Sequence, residues 1–177
     1  VPAGEAKSLA KALERSGASY GLRYAGFHAM NSLRLEAGYR HWGHDITGED
    51  TPLEAGLGFT ISWDKPGGFI GREALLPSKG KVPTKRLIQI RVEDPDLLTY
   101  HDDPIFKNGN LVGRTTGGMW SMTENRCLTM SYVNNENGVS KAWVDEGEWE
   151  IEIGMRRRKV TASVESFYDP RHERVRN

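Results

Sequence analysis

The chain has 177 residues, 37% of them hydrophobic and 27% charged. That is enough for one large or two small domains with a genuine core. Its 24 Lys and Arg balance 24 Asp and Glu, so no net field draws it to nucleic acid or to an anionic membrane surface. There is no apolar run long enough to span a bilayer.

The opening Val1-Pro2-Ala3-Gly4-Glu5 lacks the basic and apolar regions of a signal peptide. With no initial Met, a processed piece or a fragment of something longer is expected. Residues 3–16 carry Leu9, Ala10 and Leu13 at helical spacing, and Gly17 is a natural stop. A second helix is predicted over 25–37, with Phe27, Met30 and Leu33 on one side and Gly38 as its cap. From Gly38 to Gly58 the helical period is lost; long ordered loops of this kind are usually functional. Leu57–Trp63 alternates like a strand, and Gly71–Leu76 opens a short helix ended by Pro77.

The polar segment 78–85 reads as a subdomain boundary, and everything after it as β. Strands are predicted at Leu87–Val92, Pro104–Lys107, Leu111–Thr116, Arg126–Val133, Lys141–Val144, Glu148–Ile153 and Arg157–Val164. Asn108-Gly109 is a strong hairpin-turn signal. Short strands at this spacing suggest a barrel or sandwich. Cys127 is the only cysteine and lies in an alternating stretch, so it reads as a small buried hydrophobe. An internal disulfide is excluded, which fits a reducing compartment.

The most informative stretch runs from Ser32 to Gly58 and includes Gly38-Tyr39-Arg40-His41-Trp42-Gly43-His44-Asp45. It resembles the glycine-cleavage T-protein (aminomethyltransferase) superfamily, in the form found in the dimethylglycine and sarcosine dehydrogenase branch. The likeness continues through Gly68–Leu75, Arg86-Leu87, Gly113–Gly118 and the closing Tyr168-Asp169-Pro170 with Arg174 and Arg176.

The resemblance implies an α+β fold. Residues 1–80 would be the remnant of a folate-binding α+β subdomain, and residues 85–177 an antiparallel Greek-key or jelly-roll-like β-barrel domain. It implies a module that binds tetrahydrofolate and captures a one-carbon unit from an N-methyl amine as methylene-tetrahydrofolate. FAD would sit in a separate domain of the parent. A location in the cytoplasm of a bacterium, or in the mitochondrial matrix of a eukaryote, follows. A T-protein proper, a folate-dependent demethylase and a non-catalytic scaffold or lid are the alternatives.

A flat pterin wants aromatic or apolar walls, and a glutamate tail wants cations, best as Arg forks. The resemblance places Tyr39 against the folate, where a phenol can stack and hydrogen-bond at once. Trp42 follows three residues later, as a further wall or as a loop anchor buried against the helix. Arg174 lies where the family holds the folate tail. Met30 stands where T-proteins carry a folate-contacting Arg, so that cation is lost. The family's catalytic Asp and pterin-binding Glu belong upstream of Val1, so no catalytic residue is expected here. The partners implied are folate and the upstream part of the parent. The first segment should expose apolar surface, with self-association or marginal stability.

Other constellations read as structural. Glu36 and Glu54 should fix the loop through backbone bonds, and Ser32 and Arg34 through packing and ion pairing. His41, His44 and Asp45 invite a metal, but no second cluster completes a shell, with His28 on a helix and His101 in another subdomain. No metal is expected. Arg156–Lys159 should pair across strands with Glu148, Glu150 and Glu152. Gly117-Gly118 reads as a turn, and Arg171 as surface.

Overall fold

Good helix formers dominate Ala6–Gly17, which forms α1. The helix does not stop before Gly17, as the sequence suggests. It continues into a 3-10 turn, Ala18–Tyr20, and reverses at Gly21. Gly17 is there for space: a Cβ on it would lie 2.8 Å from Leu22 Cβ. None of the α1 residues is buried. Leu13, Tyr20, Leu22 and Tyr24 line an open apolar groove of about 500 Å³. The computed structural model describes residues 1–176 and falls into two compact units, Val1–Met30 and Asn31 onward.

Helix α2, Phe27–Glu36, crosses between the two units. Its end is a Schellman motif: Gly38 N–H donates to Leu35 O at 3.1 Å and Tyr39 N–H to Arg34 O at 2.7 Å. Gly38 is the left-handed residue, with φ +72°. The predicted cap therefore forms, and it turns the chain into the loop through Gly58. The predicted strand Leu57–Trp63 does not form. Gly58–Thr60 is a 3-10 turn instead, with Phe59 83% exposed. Its alternation finds no neighbouring strand among the described residues. The short helix α3, Arg72–Leu75, forms as expected.

Six strands then close a barrel. They are β1 Lys85–Val92, β2 His101–Lys107, β3 Asn110–Ser121, β4 Arg126–Asn134, β5 Trp149–Ile153 and β6 Arg156–Ser163. Their order is β1-β4-β3-β2-β5-β6, and every pair is antiparallel. Strands β2 to β4 form a meander and β1 returns beside β4, which is a Greek key. Asn108 (φ +49°) and Gly109 (φ +80°) make the left-handed hairpin turn their pairing predicts.

Two other expectations fail. The predicted strand Lys141–Val144 is instead part of a short helix, α4, Lys141–Asp145, because Ser140 Oγ accepts Trp143 N–H at 3.1 Å and caps its start. Gly117-Gly118 is not a turn. It lies inside β3, at a register shift opposite β4. A Cβ on Gly118 would come within 2.4 Å of Thr99 O, so only glycine fits there.

Alternation along β1 and β4 serves two cores at once. Ile88, Ile90, Val92, Cys127 and Val133 face a cluster with Ile105, Ile151 and Val160. Leu87, Leu128 and Met130 face a second one with Leu35 of α2, joined by Ile46 and Phe167. Cys127 is fully buried, as expected, and burial pushes its thiol pKa up. Gln89 ties the outer cluster together: its amide nitrogen donates to Leu35 O, and its oxygen accepts Phe167 N–H at 2.7 Å. Among the described residues no helix is long and apolar enough to cross a membrane.

The C-terminus of α2 is fixed to the barrel by Glu36, which is 2% exposed. Its carboxylate accepts Ser121 Oγ at 2.6 Å, Thr123 N–H at 3.1 Å and Thr123 Oγ1 at 3.0 Å. Burial alone would raise this carboxyl, but these bonds outweigh it and hold the pKa below its ordinary range. A lowered folded-state pKa means the stabilisation is complete above the unfolded value and lost as pH falls through the folded one. Glu36→Gln should therefore cost about 2 kcal/mol at neutral pH. That cost should shrink as pH drops below about 4.3, the ordinary glutamate value. Chemical denaturation across pH measures it, and a cost independent of pH would refute the assignment.

Candidate functional site

The loop from Gly38 to Gly58 has no regular structure apart from a bridge between Trp42 and Ile46, so side chains must order it. The principal anchor is Asp45, whose side chain is wholly enclosed. It pairs with Arg34 of α2, accepts His41 N–H at 2.8 Å and takes the hydroxyl of Thr116 on β3. Asp50 accepts Thr47 N–H at 2.8 Å and Lys85 Nζ at 2.7 Å. Burial works to raise the Asp50 carboxyl, but Lys85 and Thr47 outweigh it and leave it lowered. Glu54 accepts Thr51 N–H and Oγ1, both at 2.8 Å, a local cap that starts the next turn. The structural readings of Ser32, Arg34, Glu36 and Glu54 thus hold, with Ser32 Oγ donating to Trp120 O at 2.7 Å.

Arg40 runs inward. Its Nε donates to Ala55 O at 3.0 Å and its Nη1 to Gly38 O. Burial lowers its pKa, partly opposed by the field of Asp45. No carboxylate forms an ion pair with it among the described residues. It lines a cavity of about 230 Å³ with Phe59, Gln89, Glu165 and His172.

The three sequence-predicted site residues differ in fate. Tyr39 is exposed, and its ring stacks on His172 with centroids 6.0 Å apart and planes 8° from parallel. Arg174 is in the same tail: its guanidinium lies 5.5 Å from the Tyr168 ring centroid and donates to the Tyr168 hydroxyl at 3.2 Å. Its backbone N–H bonds Asp169 Oδ2 at 3.0 Å. Loop and tail, 133 positions apart on going from Tyr39 to His172, therefore meet through one aromatic stack. Trp42 does not join them. It is 68% exposed, so the buried-anchor reading is wrong, and the loop is held by Asp45 instead.

Several neighbours went unnoticed in the sequence. His172 and Phe59 carry no local signal, because their importance comes only from the fold. Arg40 lies inside the loop, but nothing in the local sequence marks it as inward-facing. His101, placed in a separate subdomain by the sequence, comes within 3.3 Å of His44. Arg171 is exposed beside Glu173, as expected. The basic run meets its expected pairing only in part: Arg157 lies 3.5 Å from Glu150 across the strands, Arg158 reaches Asp94 at 4.0 Å instead, and Arg156 and Lys159 form no ion pair among the described residues. Chemically, the site offers exposed aromatic faces beside cations, a suitable surface for a flat anionic ligand.

Comparison with known proteins agrees with this architecture. Residues 1–65 match the GCVT N-terminal domain and residues 85–169 the glycine cleavage T-protein C-terminal barrel domain. The chain is 40% identical over 171 residues to 4-methylaminobutanoate oxidase (formaldehyde-forming) of Paenarthrobacter nicotinovorans, covering 97% of this chain and 20% of that protein. It is 33% identical over 178 residues to the mitochondrial sarcosine dehydrogenase of Mus musculus, covering 99% of this chain and 19% of that protein. The chain thus spans about a fifth of the length of these relatives. Among solved structures, the aminomethyltransferase T of the Bartonella henselae glycine cleavage system superposes with a TM-score of 0.74 at 28% identity, over 94% of this chain and 44% of that one. The chain belongs to the folate-dependent aminomethyltransferase family of the glycine cleavage T-protein.

Proposed function

We propose that this chain is the folate-holding C-terminal part of an aminomethyltransferase module in a larger N-methyl amine dehydrogenase. Residues 1–80 complete the folate-binding subdomain, and residues 85–177 form the barrel domain beside it. A flavin domain elsewhere in the parent, carrying FAD, oxidises the amine to an iminium species. The folate module takes the carbon as methylene-tetrahydrofolate. Tyr39 and Trp42 offer aromatic faces to tetrahydrofolate, and Arg174 pairs with its carboxylate tail. No catalytic residue is assigned to this chain; proton handling belongs to carboxylates in the preceding part of the parent. The compartment is the cytoplasm of a bacterium, or the mitochondrial matrix of a eukaryote.

The observation that carries this reading is the Tyr39–His172 stack, because it brings the loop beside the tail that holds Arg174. Leu33, Phe59 and Ile70 are exposed, and so are Leu13 and Tyr24 in the first unit. In the parent these residues are the surface against which the preceding segments pack; in isolation they favour self-association.

A second reading is supported by the name of one relative, an oxidase described as formaldehyde-forming. In it, the module lets the one-carbon unit escape to water, and this chain is a scaffold.

Two measurements separate the readings. Tetrahydrofolate titrated against the chain should bind, and Tyr39→Ala should weaken binding about tenfold, the loss of roughly one stacked aromatic contact. A folded sample with no affinity would favour the scaffold. In the parent oxidising an N-methyl amine, added tetrahydrofolate should suppress free formaldehyde, and Arg174→Ala should restore it by weakening folate binding. Formaldehyde release indifferent to tetrahydrofolate would support the oxidase reading.

A further inference from the structure

The geometry points to a two-histidine site for a divalent ion of the zinc class, made by His44 of the loop and His101 at the start of β2. His44 Nδ1 and His101 Nε2 lie 3.3 Å apart. Two nitrogens bound at 2.0–2.1 Å to one tetrahedral ion sit about 3.3 to 3.4 Å apart, so the pair already has the required bite. In the metal-free pair, one ring donates a proton to the other. For an ion to bind, the donor ring's hydrogen shifts through solvent to its far nitrogen, so that His44 carries its hydrogen on Nε2, His101 on Nδ1, and both facing nitrogens present lone pairs.

Both rings are set by their surroundings. The 41–45 turn is closed by His44 N–H to His41 O at 3.2 Å and Asp45 N–H to His41 O at 2.9 Å. The His41 ring lies against His44, with centroids 4.5 Å apart, and limits how His44 can swing. His101 pairs with Thr116 in the ladder, and its ring packs over Gly117, where a Cβ would come 3.3 Å from Nε2.

Both imidazoles are exposed, so water can fill the remaining positions of the shell. Among the described residues no group of three or more His, Cys, Asp or Glu is arranged to hold a metal. The site is therefore an open one with two protein ligands. A bound ion cross-links the functional loop to the barrel next to the buried Asp45–Thr116 contact.

Zinc(II) titrated calorimetrically against the full chain should bind with one-to-one stoichiometry, and cobalt(II) should give the absorption of a tetrahedral site. His44→Ala and His101→Ala should each weaken binding about tenfold or more. His28→Ala, in the first compact unit, should leave it unchanged. Circular dichroism confirms that the variants remain folded, as expected for exposed side chains. The proposal is overturned if the folded native chain binds no zinc, or if either His44→Ala or His101→Ala binds zinc as the native chain does.

Discussion

The Asp45 carboxylate is the contact on which the rest of the loop depends. It is enclosed, and its donors come from three separate places: Arg34 on α2, the His41 backbone and Thr116 on β3. A buried carboxylate is costly unless its charge is paired and its lone pairs are filled, and here both conditions are met. Arg40 strengthens the argument. It is half-buried, forms no ion pair with a carboxylate among the described residues, and sits in the field of Arg86 as well as Asp45. Loss of the Asp45 charge would leave Arg34 without its partner and remove the field that opposes the cost of burying Arg40.

The barrel makes that arrangement possible because two of its strands are buried on both faces. Alternation in β1 sends Ile88 and Ile90 to one cluster and Leu87 to the other. A strand buried on one face only would leave α2 with nothing to pack on. Gln89 extends the logic to the far end of the chain, since its amide N–H donates to Leu35 O while its amide oxygen accepts Phe167 N–H. The tail is thereby held against the outer cluster, and His172 arrives beside Tyr39. One polar side chain in a hydrophobic layer thus places the C-terminal residues of the site.

How much of this could be read in the sequence follows from the range of the interactions involved. The barrel strands announce themselves through local alternation, and Asn108-Gly109 through turn chemistry, so both were legible. The helix Lys141–Asp145 was misread because five residues hold little more than one turn, and Ser140 decides the matter. Leu57–Trp63 has the pattern of a strand but no partner among the described residues, and pairing is what makes a strand. The Tyr39–His172 and His44–His101 contacts join residues remote in sequence. No local pattern encodes either meeting, so the family resemblance could name Tyr39 and Arg174 but not their intermediary.

The loop also separates two duties that a site must reconcile. Its charges point inward and hold it, while Tyr39, Trp42 and the nearby Phe59 present their rings to solvent. Exposed apolar rings contribute little to folding, and substitutions at such positions usually change stability by about 0.5 kcal/mol or less. Breaking a buried ion pair costs about 3 kcal/mol or more. The fold therefore depends far less on these exposed rings than on the buried charges. Of the two sequence readings of Trp42, a further wall or a buried anchor, the exposure of its ring excludes the anchor, and Asp45, three residues later, holds the loop instead.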